Sequence, residues 1–132
     1  MSKLQSINSF GNFISKFKQI IKPTYAIIFE KCDNIVGFDF KNMNNYITIL
    51  KSGLYIVNLN AQFTDNCHVG LFINDLPDLS TRTCSKSGII NIYQVLNLFK
   101  NDKLSIKNNS LYPITTMNYN KCNNINLNIT QI

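Results

Sequence analysis

Residues 52–63 read SGLYIVNLNAQF, and after the Ser52-Gly53 turn pair they alternate without a break. Tyr55, Val57, Leu59, Ala61 and Phe63 fall on one side; Leu54, Ile56, Asn58, Asn60 and Gln62 fall on the other. A strand sends successive side chains to opposite faces, so this stretch predicts a strand. The first face is apolar throughout and requires a core. The second begins apolar and ends as a row of amides, and its surroundings are the question the sequence poses.

The same period runs through most of the chain after Pro23. Strand signals lie at 24–30, 36–40, 46–50, 68–74, 79–84, 89–99, 103–107 and 124–130, with turn residues such as Asp75-Leu76-Pro77-Asp78 between them. In NINLNIT, Ile125, Leu127 and Ile129 take the inward phase and Asn126, Asn128 and Thr130 the outward one. Asparagines that keep to the outward phase belong to folded strands rather than to a low-complexity tract. Many short strands at turn-rich spacing predict an all-β antiparallel sandwich or jelly roll.

Before Pro23 the period differs. Ile7, Phe10, Ile14, Phe17 and Ile21 follow a 3-4-3-4 spacing, the pattern of a helical interaction seam. This predicts a short amphipathic helix or arm over 3–22, so that 1–22 forms a neck or arm and 24–132 the globular domain. Pro23 would end such a helix, and Gly11 weakens it by roughly 1 kcal/mol. Two heptads do not make an independent coiled coil. The segment would pack on its own domain, form an oligomerising neck, or lie on a membrane surface with Lys3, Lys16, Lys18 and Lys22.

Length and composition narrow the function classes. A chain of 132 residues with 45% hydrophobic content suits one packed domain. No run approaches the roughly 18 apolar residues of a membrane span, and MSKLQSINSF has no continuous apolar segment of a secretory signal. The net charge of +6 comes from scattered lysines and one arginine, Arg82, with no basic run, so no nucleic-acid partner is expected. Over-use of Asn, Ile and Lys fits AT-rich codons.

Chemistry-bearing residues are sparse. Cys32, Cys67, Cys84 and Cys122 form no C-x-x-C pair, and His68 is the one histidine, which argues against a structural zinc site. Cys67 and His68 are neighbours on a strand and point apart, so they cannot work as nucleophile and base. Glu30, Asp33, Asp39, Asp65, Asp75, Asp78 and Asp102 make no paired motif. No catalytic residue, cofactor site or metal site is expected.

Three pieces in order carry a resemblance: SGLYIVNLNAQF (52–63), VGLFINDLP (69–77) and LNLFKNDKLSI (96–106), followed by the C-terminal strand INLNITQI. Together they resemble the globular domain shared by complement component 1q and the tumour necrosis factor cytokines, over about residues 24–132. Asn101 stands where that pattern has glycine; asparagine also tolerates φ > 0. No Gly-X-Y stalk precedes the domain.

The resemblance implies a ten-strand antiparallel jelly roll assembled as a compact homotrimer. It places Leu54, Ile56, Asn58, Asn60, Gln62, Tyr93 and Val95 toward the three-fold axis. Its cytokine members imply Cys67 and Cys84 as the disulfide pair to watch, against the reduced thiols that a signal-less chain suggests. Some members hold calcium, for which Asp75 and Asp78 would be the carboxylates. The expected function is a non-enzymatic structural or receptor-binding head, with a cell-surface receptor or a virion protein as partner. AT bias and fold together suit a fibre head or minor capsid protein of a large DNA virus. The alternatives are a secreted cytokine-like ligand and a carbohydrate- or lipid-binding module, which needs an aromatic-lined pocket.

Overall fold

The structure is a computed structural model that describes residues 7–118 and 122–132. Over these residues the chain forms strands β1 (Phe10–Ser15), β2 (Ile20–Ile21), β3 (Lys31–Val36), β4 (Phe38–Asp39), β5 (Ile47–Ile49), β6 (Gly53–Gln62), β7 (Cys67–Ile73), β8 (Leu76–Pro77), β9 (Thr83–Ser85), β10 (Ile89–Leu98), β11 (Lys103–Asn108), β12 (Ile114–Thr115) and β13 (Ile125–Gln131). A single 3₁₀ turn spans Leu79–Thr81. One sheet has the order β10-β6-β13-β1-β3. The second runs β4-β5-β11-β7-β8, with β9 also on β7, and β2 pairs with β12 apart from both. The strand pairings among the described residues are antiparallel.

Alternation in each long strand decides which side chains meet between the sheets. From the first sheet Phe13, Tyr55, Val57, Leu59, Leu127 and Ile129 are fully buried; Ile47, Ile49, Val69, Leu71, Leu104 and Ile106 answer them from the second. Phe13 is the aromatic hub. Its ring lies 5.2 Å from Phe40, 5.7 Å from Phe38 and 6.3 Å from Phe29, all edge-on, the arrangement that ring quadrupoles favour. The apolar face of residues 54–63 is therefore core, as the sequence predicts.

The predicted N-terminal helix is a strand in the structure. Phe10–Ser15 form β1 between β13 and β3, with Phe13 opposite Leu127 and Ile14 opposite Asn126. The proposed seam does not exist as a face: Phe10 and Ile14 take one side of the sheet, Ile21 enters the core, Phe17 is half-buried in a loop and Ile7 is exposed. The apolar spacing matched a helix by coincidence. Gly11, Asn12 and Ser15 favour a helix little, while two free strand edges offer β1 a full ladder on either side. The change of period at Pro23 is accordingly no domain boundary. Residues 1–6, including Leu4, lie outside the described residues.

Three smaller differences remain, and in two of them a side-chain amide stands in for a strand partner. Residues 24–30 form no full strand: Ala26 bridges Lys107 at the edge of β11, and Phe29 bridges the loop residue Asn44. Ile28 instead has its N–H and C=O bound by the buried Gln19 amide, at 2.8 Å each. The polar strand β3 was not foreseen; it pairs on one edge across a register shift between Phe10 and Asn12. Nor was β12. It is held beside β2 by Asn108, whose Nδ2 donates to the carbonyls of Ile21 (3.0 Å) and Tyr112 (2.9 Å) while Oδ1 accepts from Ser110 N (2.7 Å). Asn124 does the same for the β1–β2 loop, donating to Phe17 O at 3.0 Å and Met117 O at 2.8 Å.

The turn after β10 bears out the reading of Asn101, which adopts φ 75°. Asp102 closes that turn by accepting from Phe99 N at 2.8 Å, and Asn74 ties it to the β7 end through Asp102 Oδ1 and Lys103 N, both at 2.9 Å. Gly88, φ 86°, is a position where glycine is required. A Cβ there would sit 2.2 Å from the Phe63 carbonyl oxygen.

Candidate functional site

Register across the first sheet assembles its outer face from residues far apart in sequence, because opposed residues of antiparallel strands share a side. One row reads Val95, Ile56, Thr130, Phe10 and Val36. The next reads Tyr93, Asn58, Asn128, Asn12 and Asp33, and the third Asn91, Asn60, Asn126, Ile14 and Lys31. Leu54 pairs with Asn97 beyond the first row, and Gln62 with Ile89 beyond the third. All seven residues that the sequence nominates, Leu54, Ile56, Asn58, Asn60, Gln62, Tyr93 and Val95, therefore lie on one continuous face.

That face is graded. At one end large apolar side chains stand in solvent: Tyr93 is 67% exposed, Leu54 51%, Val95 46% and Phe10 37%. Toward the other end amides predominate, at Asn58, Asn60, Gln62, Asn91, Asn126 and Asn128, with Ile14, Lys31 and the exposed Ile89 among them. Asn12 Oδ1 and Asn126 Oδ1 are shut off from solvent, yet neither has a hydrogen-bond partner among the described residues. A buried acceptor left unpaired costs about 1–3 kcal/mol, so these two oxygens are sites where a donor would stabilise the fold.

Sequence reasoning placed β6 and β10 on this face and missed the contributions of β1. The outward phase of Asn126, Asn128 and Thr130 was legible; that Phe10, Asn12 and Ile14 complete the same rows was hidden by the helical spacing.

Elsewhere the chemistry-bearing groups are occupied or separated. Cys84 stands opposite His68 and Ser85 opposite Cys67, and all four cysteines are free thiols. Burial, and secondarily the neighbouring Cys84, push the Cys67 thiol up to about 11. Asp75 pairs with Lys107 at 2.8 Å; that hydrogen bond and the Lys107 charge hold its carboxyl below the usual carboxylate range. Asp78 instead caps the 3₁₀ turn, accepting from Ser80 N at 2.9 Å and Ser80 Oγ at 2.7 Å. The two carboxylates proposed for calcium thus serve different partners. Among the described residues no three His, Cys, Asp or Glu side chains converge in a metal-binding group.

No protein-family model matches the sequence, and no curated protein matches it either. Solved structures do match over almost the whole chain. The globular domain of zebrafish complement 1qA protein aligns with TM-score 0.69 and 16% identity, covering 94% of this chain and 95% of that one. GITRL from bushbaby aligns with TM-score 0.63 and 14% identity over 96% of this chain and 95% of the other. Murine APRIL aligns with TM-score 0.62 and 10% identity over 96% of this chain and all of that one. The sandwich described above is a complement 1q/tumour necrosis factor-like jelly roll.

Proposed function

We propose that the protein is a non-enzymatic homotrimeric head that uses the outer face of the β10-β6-β13-β1-β3 sheet to bind its own copies and leaves its loops and second sheet for a receptor or structural partner. The observation that carries this reading is the graded face itself: an apolar end at the exposed Leu54, Tyr93 and Val95 and the half-buried Ile56, continuous with rows of asparagine amides. Second copies of the same chain suit both halves. Apolar ends stack on one another, and asparagine amides carry donor and acceptor together, so identical rows meeting around an axis satisfy each other. Few carboxylates lie on this face, which keeps like charges from the axis.

Native mass spectrometry tests the assembly. A trimer of the 15.1 kDa chain at micromolar concentration supports the reading, and a monomer rejects it. The setting we favour is a virion, as a fibre head or minor capsid component, on the strength of the AT-rich composition. A secreted cytokine-like ligand is the rival. Mass spectrometry of purified particles against culture supernatant separates them: enrichment in the supernatant alone rejects the virion assignment.

A further inference from the structure

The second sheet carries a cleft of about 450 Å³ on its outward side. Its origin is a gap in the ladder. The same edge of β11 is paired at Lys103 and Leu104 by β5 and at Lys107 by the Ala26 bridge, so Ser105 between them faces the break. Leu104 and Ile106 go to the core, which sends Lys103, Ser105 and Lys107 outward into the cleft. Tyr25, 61% exposed, and Tyr46, 37% exposed, stand among its walls, one from each of the two segments that border the gap.

The lining has a specific chemistry. Two phenol rings offer flat apolar platforms of the kind that stack on sugar faces and keep a hydroxyl at the rim. Ser105 is only 7% exposed and lines the floor of the cleft. Asp75 is fixed through Oδ1 by Lys107, which itself rests over Phe72 at 4.9 Å, leaving Oδ2 to accept from ligand hydroxyls. With Lys107 and Asp75 neutralising each other, the remaining charge is the ammonium of Lys103, 5.1 Å from the centre of the Tyr46 ring. A cation held over one face of an aromatic ring, in a cleft shared with a serine hydroxyl and an oriented carboxylate, selects a ligand that has a sugar face, several hydroxyls and one anionic group.

We infer that this cleft is a binding site for an acidic saccharide, with Tyr46 and Tyr25 stacking on the rings, Lys103 pairing with the carboxylate, and Ser105 and Asp75 bonding hydroxyls. The site lies on the sheet opposite the proposed assembly face, so it stays open whether the protein is a monomer or a trimer.

Saturation-transfer NMR on the full chain tests it with two probes of equal length: a tetrasaccharide of alternating glucuronate and N-acetylglucosamine, and the neutral N-acetylglucosamine tetramer. The uronate probe is expected to receive saturation and to bind roughly tenfold tighter than the neutral one. Tyr46→Ala and Lys103→Gln change exposed side chains and should each weaken uronate binding about tenfold, with unchanged thermal unfolding. Lys86→Gln, on an exposed loop elsewhere, should leave it unaltered. No saturation of either probe overturns the site; equal binding of both overturns its preference for an anion; binding undiminished in both cleft variants overturns its location.

Discussion

At the scale of single residues, buried asparagines organise this protein more than its charges do. Asn108 is fully buried and bonds three backbone groups. Asn108→Ala leaves two carbonyls and one N–H without partners, and should cost about 2–4 kcal/mol in urea unfolding. A loss below about 1 kcal/mol would mean that water or a shifted loop replaces the amide. The thiols give a second residue-level expectation. With its thiol near 11, Cys67 is roughly one part in a thousand thiolate at pH 8. Iodoacetamide at that pH should modify the exposed Cys84 and Cys122 rapidly and leave Cys67 free until the protein unfolds. Quick labelling of Cys67 in the native protein would contradict its burial. The role of Asn108 was not legible from sequence, since an asparagine-rich composition does not say which amides will meet a backbone carbonyl after folding.

Elements with strict alternation were legible, and those without it were not. β6, β10, β11 and β13 fall within a residue or two of their sequence boundaries because one side of each is largely apolar. β1 was misread because five apolar residues happened to fall at helical intervals, and only long-range pairing with β13 and β3 decides between the two conformations. β3 and β12 carry no periodic signal of their own. The correction changes what truncation should do. Removing residues 1–22 deletes β1 from between two strands, takes Phe13 and Ile21 from the core and leaves both neighbours with open edges. Burial of each such side chain is worth about 1.5–3 kcal/mol, a large part of the stability of a small domain. The truncated chain should lack cooperative thermal unfolding, as followed by circular dichroism. A folded, soluble β-domain without these residues would restore the reading of a detachable arm.

At the scale of the whole molecule, two sheets divide the work: one face suits self-assembly and the opposite sheet bears the saccharide cleft. The opening question of the amide row resolves at this scale. Asn58 and Asn60 are members of rows that cross the entire sheet; the Asn58 row ends at the exposed Tyr93, the Asn60 row at Asn91, and they contain the unpartnered oxygens of Asn12 and Asn126 respectively. Half of that face was visible in residues 52–63 and 89–98; the other half required β1 and β13 to be brought alongside. Asn60 sits in the centre, opposite Asn91 and Asn126. A carboxylate there would bring like charges together around an axis, at a cost on the order of several kcal/mol, whereas Asn42→Glu on an exposed loop should be silent. Sedimentation equilibrium of the wild type, Asn60→Glu and Asn42→Glu is therefore the most direct test. The expected masses are three times 15.1 kDa for the wild type and Asn42→Glu, and 15.1 kDa for Asn60→Glu. A monomeric wild type, or an Asn60→Glu protein that remains a trimer, would contradict assembly through this face.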